Sequence, residues 1–210
     1  MHPFFVILSG FLLVIAVLGF VVYIDLVTQV INPPKLNHSQ GSADASTDEA
    51  AATHHEDKTT GQIRADASVN GLGRAQASAE IGHEFQNTRK KPRRFSVLIK
   101  FDYRTHVQVN YGQARSHAIV KAVLAPQSKD FADAVQSIVG QQDSPPAGDF
   151  TSHKHKFPII LQPNQKITAL LQVTAIAEPT DQAEEAERTS CCTEVEGKVT
   201  EIRFQPRLLY

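Results

Sequence analysis

Residues 153–173 read HKHKFPIILQPNQKITALLQV, two apolar runs hinged on Gln162-Pro163-Asn164-Gln165. Phe157, Ile159 and Leu161 alternate with their neighbours in one run, and Ile167, Ala169, Leu171, Val173 and Ala175 do so in the other. Successive side chains on a strand point to opposite faces, so this alternation is the pattern of half-buried strands. Pro and Asn between them are turn formers. The stretch therefore predicts a β-hairpin from Phe157–Leu161 to Lys166–Ala177.

The same pattern extends outward. Phe95, Val97, Ile99, Phe101 and Tyr103 alternate with Ser96, Lys100 and Asp102, and Val107, Val109 and Tyr111 continue beyond a bend or tight turn at Arg104-Thr105. Residues 118–124 (AIVKAVL) are apolar on both faces except at Lys121, which suits a central strand. Val199–Phe204 supplies a last strand, limited by Pro206. Between these, Ser128 can cap a helix whose face carries Phe131, Ala134, Val135, Ile138 and Val139, with Gly140 ending it. Residues 94–210 are thus expected to be mainly β: a sandwich, loosely immunoglobulin-like, with one short helix. The chain has no Trp, so the Cys…Trp…Cys pattern of antibody domains is missing.

Toward the N-terminus the composition changes twice. Pro3–Ile24 is free of charge, with Phe4 and Leu13 inside an apolar run broken only by Ser9, Gly10 and Gly19. At about 1.5 Å per residue such a helix crosses the roughly 30 Å hydrocarbon layer. A cleaved signal peptide is the rival reading, since Val17-Leu18-Gly19 has cleavage-site spacing. Against it, no Lys or Arg precedes the run, which also exceeds a usual signal core. Residues 1–31 are therefore expected to be an uncleaved single-pass anchor and its flank. Lys35 leans toward a cytoplasmic C-terminus by charge counting. The long domain behind a lone anchor argues for export, the arrangement expected here, with the membrane as the first partner.

Residues 32–93 are rich in Ala, Ser, Thr, Asp, Gln and His and poor in large apolar residues. Such a segment is expected to stay flexible, because it buries too little surface to offset its ordering entropy. At most a transient helix over Arg74–Ile81 is anticipated. The linker ends in Arg89, Lys90, Lys91, Arg93 and Arg94, five positives in six residues, suited to anionic lipid or nucleic acid. No aromatic platform is interleaved with them, and the whole chain balances 21 basic against 22 acidic residues, so nucleic acid is not the expected partner. Residues 178–196 are strongly acidic and offer the cluster an opposite charge within or between molecules.

Chemical motifs are thin. Gly71-Leu72-Gly73 lacks the third glycine of a dinucleotide loop, and His83-Glu84-Phe85-Gln86-Asn87 places Asn where a zinc-protease helix needs its second His. His54-His55 reads as a solvated pair. His153 and His155 lie two apart, so a strand presents both on one face, and with Cys191 and Cys192 they could form a zinc or copper site. Lys154 and Lys156 oppose a cation there, and the two histidines equally extend the inward parity of Phe157 to the domain rim. Adjacent cysteines cannot bridge each other without strain and on a strand face opposite ways. No nucleophile elbow or phosphate loop is present, so no enzyme is expected. The reading is a tethered β-domain that binds another protein in the cell envelope through strand edges at Phe95–Tyr103 and Phe157–Ala177. Membrane-tethered metal binding and a cytoplasmic surface binder using the basic cluster are the alternatives.

Overall fold

The computed structural model describes residues 27–111, 114–125, 131–139, 149–180 and 189–207, with Tyr111 and 131–139 by backbone alone. Eleven strands form: β1 (Gln29–Ile31), β2 (His38–Ala45), β3 (Ala50–Asp57), β4 (Gln62–Asn70), β5 (Ala75–Gln86), β6 (Arg93–Tyr111), β7 (Ala114–Ala125), β8 (Phe131–Val139), β9 (Thr151–Leu161), β10 (Lys166–Pro179) and β11 (Ser190–Arg207). They make two antiparallel sheets. The first has the order β3-β4-β11-β6-β9, with β1 also paired to β11, and the second runs β2-β5-β10-β7-β8. Each sheet turns one parity inward. Phe95, Val97, Ile99 and Phe101 of β6 and Ile167, Ala169, Leu171, Val173 and Ala175 of β10 are buried, as their alternation required. Both rows join one core between the sheets, so the domain is a β-sandwich.

The segment expected to be a linker is where the structure departs most from the sequence reading. Residues 38–86 hold four strands, and β4 and β5 pair with the long strands β11 and β10. Their inward rows are small: Ala65 and Ala67 between Ile63 and Val69 on β4, and Ala75, Ala77, Ala79 and Ile81 on β5, all buried. A buried methyl contributes only about 0.8 kcal/mol. The segment therefore looks too polar to fold when scored by large side chains, yet its period-two rows complete a core supplied by the other strands. The sheets come close where those rows meet. Gly197 of β11 faces inward, and a Cβ there would lie 2.9 Å from Leu171 Cδ2 and 3.2 Å from Ile63 Cγ1.

Other expectations change in the same way. Residues 131–139 are strand β8, not a helix, paired antiparallel to β7 with Val135 opposite Ile119. A short apolar run fits both periods, and the open edge of β7 selects the extended form. In place of the transient helix at Arg74–Ile81, all but Arg74 belong to β5. β6 runs without interruption through Arg104-Thr105. Gln162–Gln165 is a tight turn, closed by Gln165 N–H donating to Gln162 O (3.1 Å), with Pro163 followed by Asn164 at φ 62°. It joins no hairpin: β9 belongs to the first sheet and β10 to the second, so the turn carries the chain across the sandwich. β11 continues through Pro206, beyond the last residue paired to β1, where the missing N–H leaves no bond unmade.

Among the described residues no helix is long and apolar enough to cross a membrane. The anchor at Pro3, Phe4, Leu13 and Ile24 lies outside the described residues, as do Ser128, Gly140 and the acidic residues 181–188.

Candidate binding cleft

The parity of β5 does not stop at Ile81. His83 and Phe85 continue the inward row beyond the alanines, reaching the end of the sandwich that Val27 also lines. Phe85 stacks on Phe204 of β11 (centroids 4.4 Å, interplanar 13°) and meets Phe95 of β6 edge-on (5.1 Å, 72°). Phe95 and Phe204 are buried, while Phe85 is only partly covered. The two sheets stay apart here, leaving a cleft of about 400 Å³ lined by these rings with Val27, Gln29, His83, Glu84, Asn87, Arg89, Arg93 and Pro206. We refer to this as the proximal end.

The polar groups of the cleft are held in place. His83 Nδ1 lies 3.0 Å from the carbonyl oxygen of Lys35. A carbonyl only accepts, so Nδ1 carries the proton and Nε2 of the neutral ring is an acceptor. Burial pushes the His83 pKa down, outweighing the Lys35 contact and the Glu84 charge, which favours that neutral ring. The Arg93 guanidinium sits over the Phe95 ring at 5.6 Å. Glu84 is bound by Lys166 at 3.0 Å.

Asn87 ties the basic segment to this end. Its buried amide nitrogen donates to the carbonyls of Lys91 (3.1 Å), Leu161 (3.0 Å) and Gln162 (3.2 Å), and its Oδ1 accepts from Arg89 N–H (3.2 Å). Its own backbone exchanges bonds with the turn, donating to Gln165 O (3.0 Å) and accepting from Asn164 N–H (2.8 Å). The residue that spoils the zinc-protease motif is thus the clamp between the basic loop and the β9–β10 turn. In sequence, the signal for the cleft was the uninterrupted parity from Ala77 to Phe85. The polar, alanine-rich composition around that row masks it.

The basic cluster is brought to the cleft. Arg89 and Arg93 line it, and Lys90, Lys91 and Arg94 are exposed beside it. Among the described residues of the acidic segment, Glu196 binds Arg104 (2.7 Å) and Arg64 (3.0 Å), Glu194 lies 3.5 Å from Arg64 and Glu178 lies 4.0 Å from Arg74, all away from this cluster. Arg104, then Arg64, hold the Glu196 carboxyl below its ordinary range.

The proposed metal set is not assembled. His153 pairs with Phe101 and Phe101 with Val199, eight residues along β11 from Cys191. The histidine and cysteine pairs are therefore roughly 26 Å apart along the strand direction, far beyond coordination reach. His153 and His155 keep the inward parity of Phe157, each half-buried beside a ring, His153 near Phe101 (5.5 Å) and His155 near Phe157 (4.6 Å). A second cavity of about 540 Å³ includes His153, where Asp102 is its only other metal-ligating side chain and Lys100 and Lys154 line it too. Cys191 is buried and Cys192 half-buried on the opposite face, both as free thiols whose pKa burial pushes up. Among the described residues no group of three or more metal-ligating side chains converges. The strand edges named from sequence are also not open. Phe95–Tyr103 lies in β6, between β11 and β9, and β10 lies between β5 and β7. Of the strands named from sequence β9 alone is an edge, and Pro158 with exposed Lys154 and Lys156 discourages further pairing there.

No protein-family model matches this chain, and a search of curated proteins finds no match. Solved structures do match loosely. A family 11 carbohydrate-binding module from Clostridium thermocellum aligns over 87% of this chain and 98% of its own, at 9% identity and a TM-score of 0.26. The CBM22-1–GH10 modules of a xylanase from the same organism align over 80% of this chain and 27% of theirs, at 12% identity and a TM-score of 0.22. The enzymatically active domain of tailspike protein 4 of bacteriophage CBA120 aligns over 76% of this chain, which spans only 19% of that one, at 12% identity and a TM-score of 0.23. Likenesses at these TM-scores carry no argument about the cleft.

Proposed function

We propose that this chain is a membrane-tethered β-sandwich that binds a partner protein in the cell envelope through the cleft at its proximal end, and that its work is binding rather than catalysis. The observation that supports the reading is the convergence of a partly covered aromatic stack, the Arg93 guanidinium with Arg89 beside it, and a neutral imidazole acceptor on one cleft. Rings receive an apolar or aromatic side chain, and guanidinium groups pair with a carboxylate in a fork geometry that ammonium groups do not reproduce. The matching partner segment carries an aromatic residue next to an acidic one. Protonation of His83 turns Nε2 from acceptor to donor, so a bond donated by the partner weakens as pH falls below the ordinary histidine range of about 6.5.

The test is binding of the full-length protein in nanodiscs to an array of acidic–aromatic peptides, beside Phe85→Ser and Arg93→Ser. Selective binding that falls at least about tenfold in both variants is expected, each loss being worth about 1.4 kcal/mol or more. Binding that survives both substitutions, or no selectivity for such peptides, overturns the assignment.

A further inference from the structure

The proximal end combines positive charge, exposed apolar side chains and the origin of the described chain. Arg94 and Arg207 stand directly opposite each other across β6 and β11, both exposed. Like charges so placed repel, and a bound anion relieves the repulsion. Ile160, 44% exposed, is Arg94's neighbour on the other side, and Val27 is 54% exposed at the cleft mouth. Lys90 and Lys91 extend the positive surface and are exposed. The far end has the opposite character, with Asp44, Asp48 and Glu49 exposed and Glu178 beside Arg74 at 4.0 Å. Along β11 the two ends are roughly 55 Å apart.

Only Asp25 and Leu26 separate the apolar run ending at Ile24 from Val27. Three residue steps reach at most about 11 Å, close to the screening length of roughly 8–10 Å at physiological salt. We infer that the proximal end docks on the headgroup layer of anionic phospholipid, with Arg94 and Arg207 and the Lys90-Lys91 pair on phosphates and Val27 and Ile160 at the interface. Each basic side chain held near such a surface contributes cooperatively to the attraction, and the combination of charge with exposed aliphatic groups matches a surface that lies on a membrane. The cleft then opens at the bilayer, which restricts its partner to membrane-proximal segments. The inference rests on the anchor proposed above.

The experiment follows tryptic cleavage within residues 89–94 of the full-length protein, in nanodiscs of phosphatidylcholine alone and with about one-third phosphatidylglycerol. Cleavage at least about fivefold slower in the anionic discs is expected. The protection should vanish in half-molar salt and in Lys90→Glu/Lys91→Glu/Arg94→Glu, and persist in Arg74→Glu/Arg115→Glu at the far end. Equal rates in both discs overturn the docking, as does equal protection of the protein in neutral discs by inorganic phosphate alone, which marks an ion site and not a surface. Carbonate washing of native membranes separates the two ideas: protein that washes off refutes the anchor and the docking with it, whereas protein that stays while cleavage rates are equal refutes the docking alone.

Discussion

At the scale of single residues, Asn87 contributes most to the site for its size. It satisfies three carbonyls with two N–H groups and receives Arg89 N–H on its oxygen, all with the side chain buried. Replacing it with Ala removes a donor from the buried Leu161 carbonyl, while Gln162 O keeps Gln165 N–H; an unmet buried acceptor costs about 1–3 kcal/mol. Asn87→Ala is expected to lower stability by that order in urea melts and to speed amide exchange across residues 88–92 and 162–165. Asn87→Asp should do the same, since a carboxylate has no hydrogen to donate. A stable variant with unchanged exchange would show that the clamp is not what holds the loop. The sequence hid this role, because a buried amide and a solvated one are spelled identically. His153 and His155 teach the converse lesson: spacing put them on one face, as two-residue spacing on a strand must, but spacing cannot say that Cys191 is far away.

At the scale of elements, the alanine-rich strands set the distance between the sheets. Gly197 belongs to the same device: with no side chain, it lets Leu171, Ile63 and Val173 of neighbouring strands fill the gap. Gly197→Ala must displace Leu171 or part the sheets, and overpacking of this kind costs about 1–3 kcal/mol. The expected outcome is a lower urea midpoint with an unchanged slope, and Leu171→Ala in the same chain should recover part of the loss. Full additivity of the two substitutions would disprove the contact. β4, β5 and β8 each carry a short pattern that fits more than one conformation, and each is decided by a long neighbour: β11, β10 and β7 respectively.

At the scale of the molecule, the chain cannot be divided at Arg94. β4 and β5 are inserted in the two sheets, and the core cluster runs through Ile63, Ala79 and Ile81 into Ile99, Leu171 and Phe204. A fragment of 94–210 loses one flank of both β10 and β11 and exposes their inward rows. It is expected to aggregate or remain unfolded by circular dichroism, whereas 27–210 should melt in one cooperative transition. A cooperative melt of 94–210 would restore the boundary that composition suggested. The same topology explains how a basic segment central in sequence comes to lie beside the first described residue, Val27: β1 pairs with the end of β11, opposite the start of β6.

The amino-acid order alone determined the β class, the inward rows of β6 and β10, the turn at Pro163-Asn164 and the opposite facing of the two cysteines. Those properties follow from the two-residue period of an extended chain and the dihedral preferences of single residues, which are local. Only the tertiary structure decided that the alanine rows are core, that β9 and β10 lie in different sheets, and that His83, Phe85, Arg93 and Phe204 share a cleft. These depend on pairing between residues far apart in the chain, such as Ser190 opposite Asn70 and Gln29 opposite Phe204. The energy of a small side chain is settled by what lies across from it, and a pattern read along one strand does not contain its neighbour.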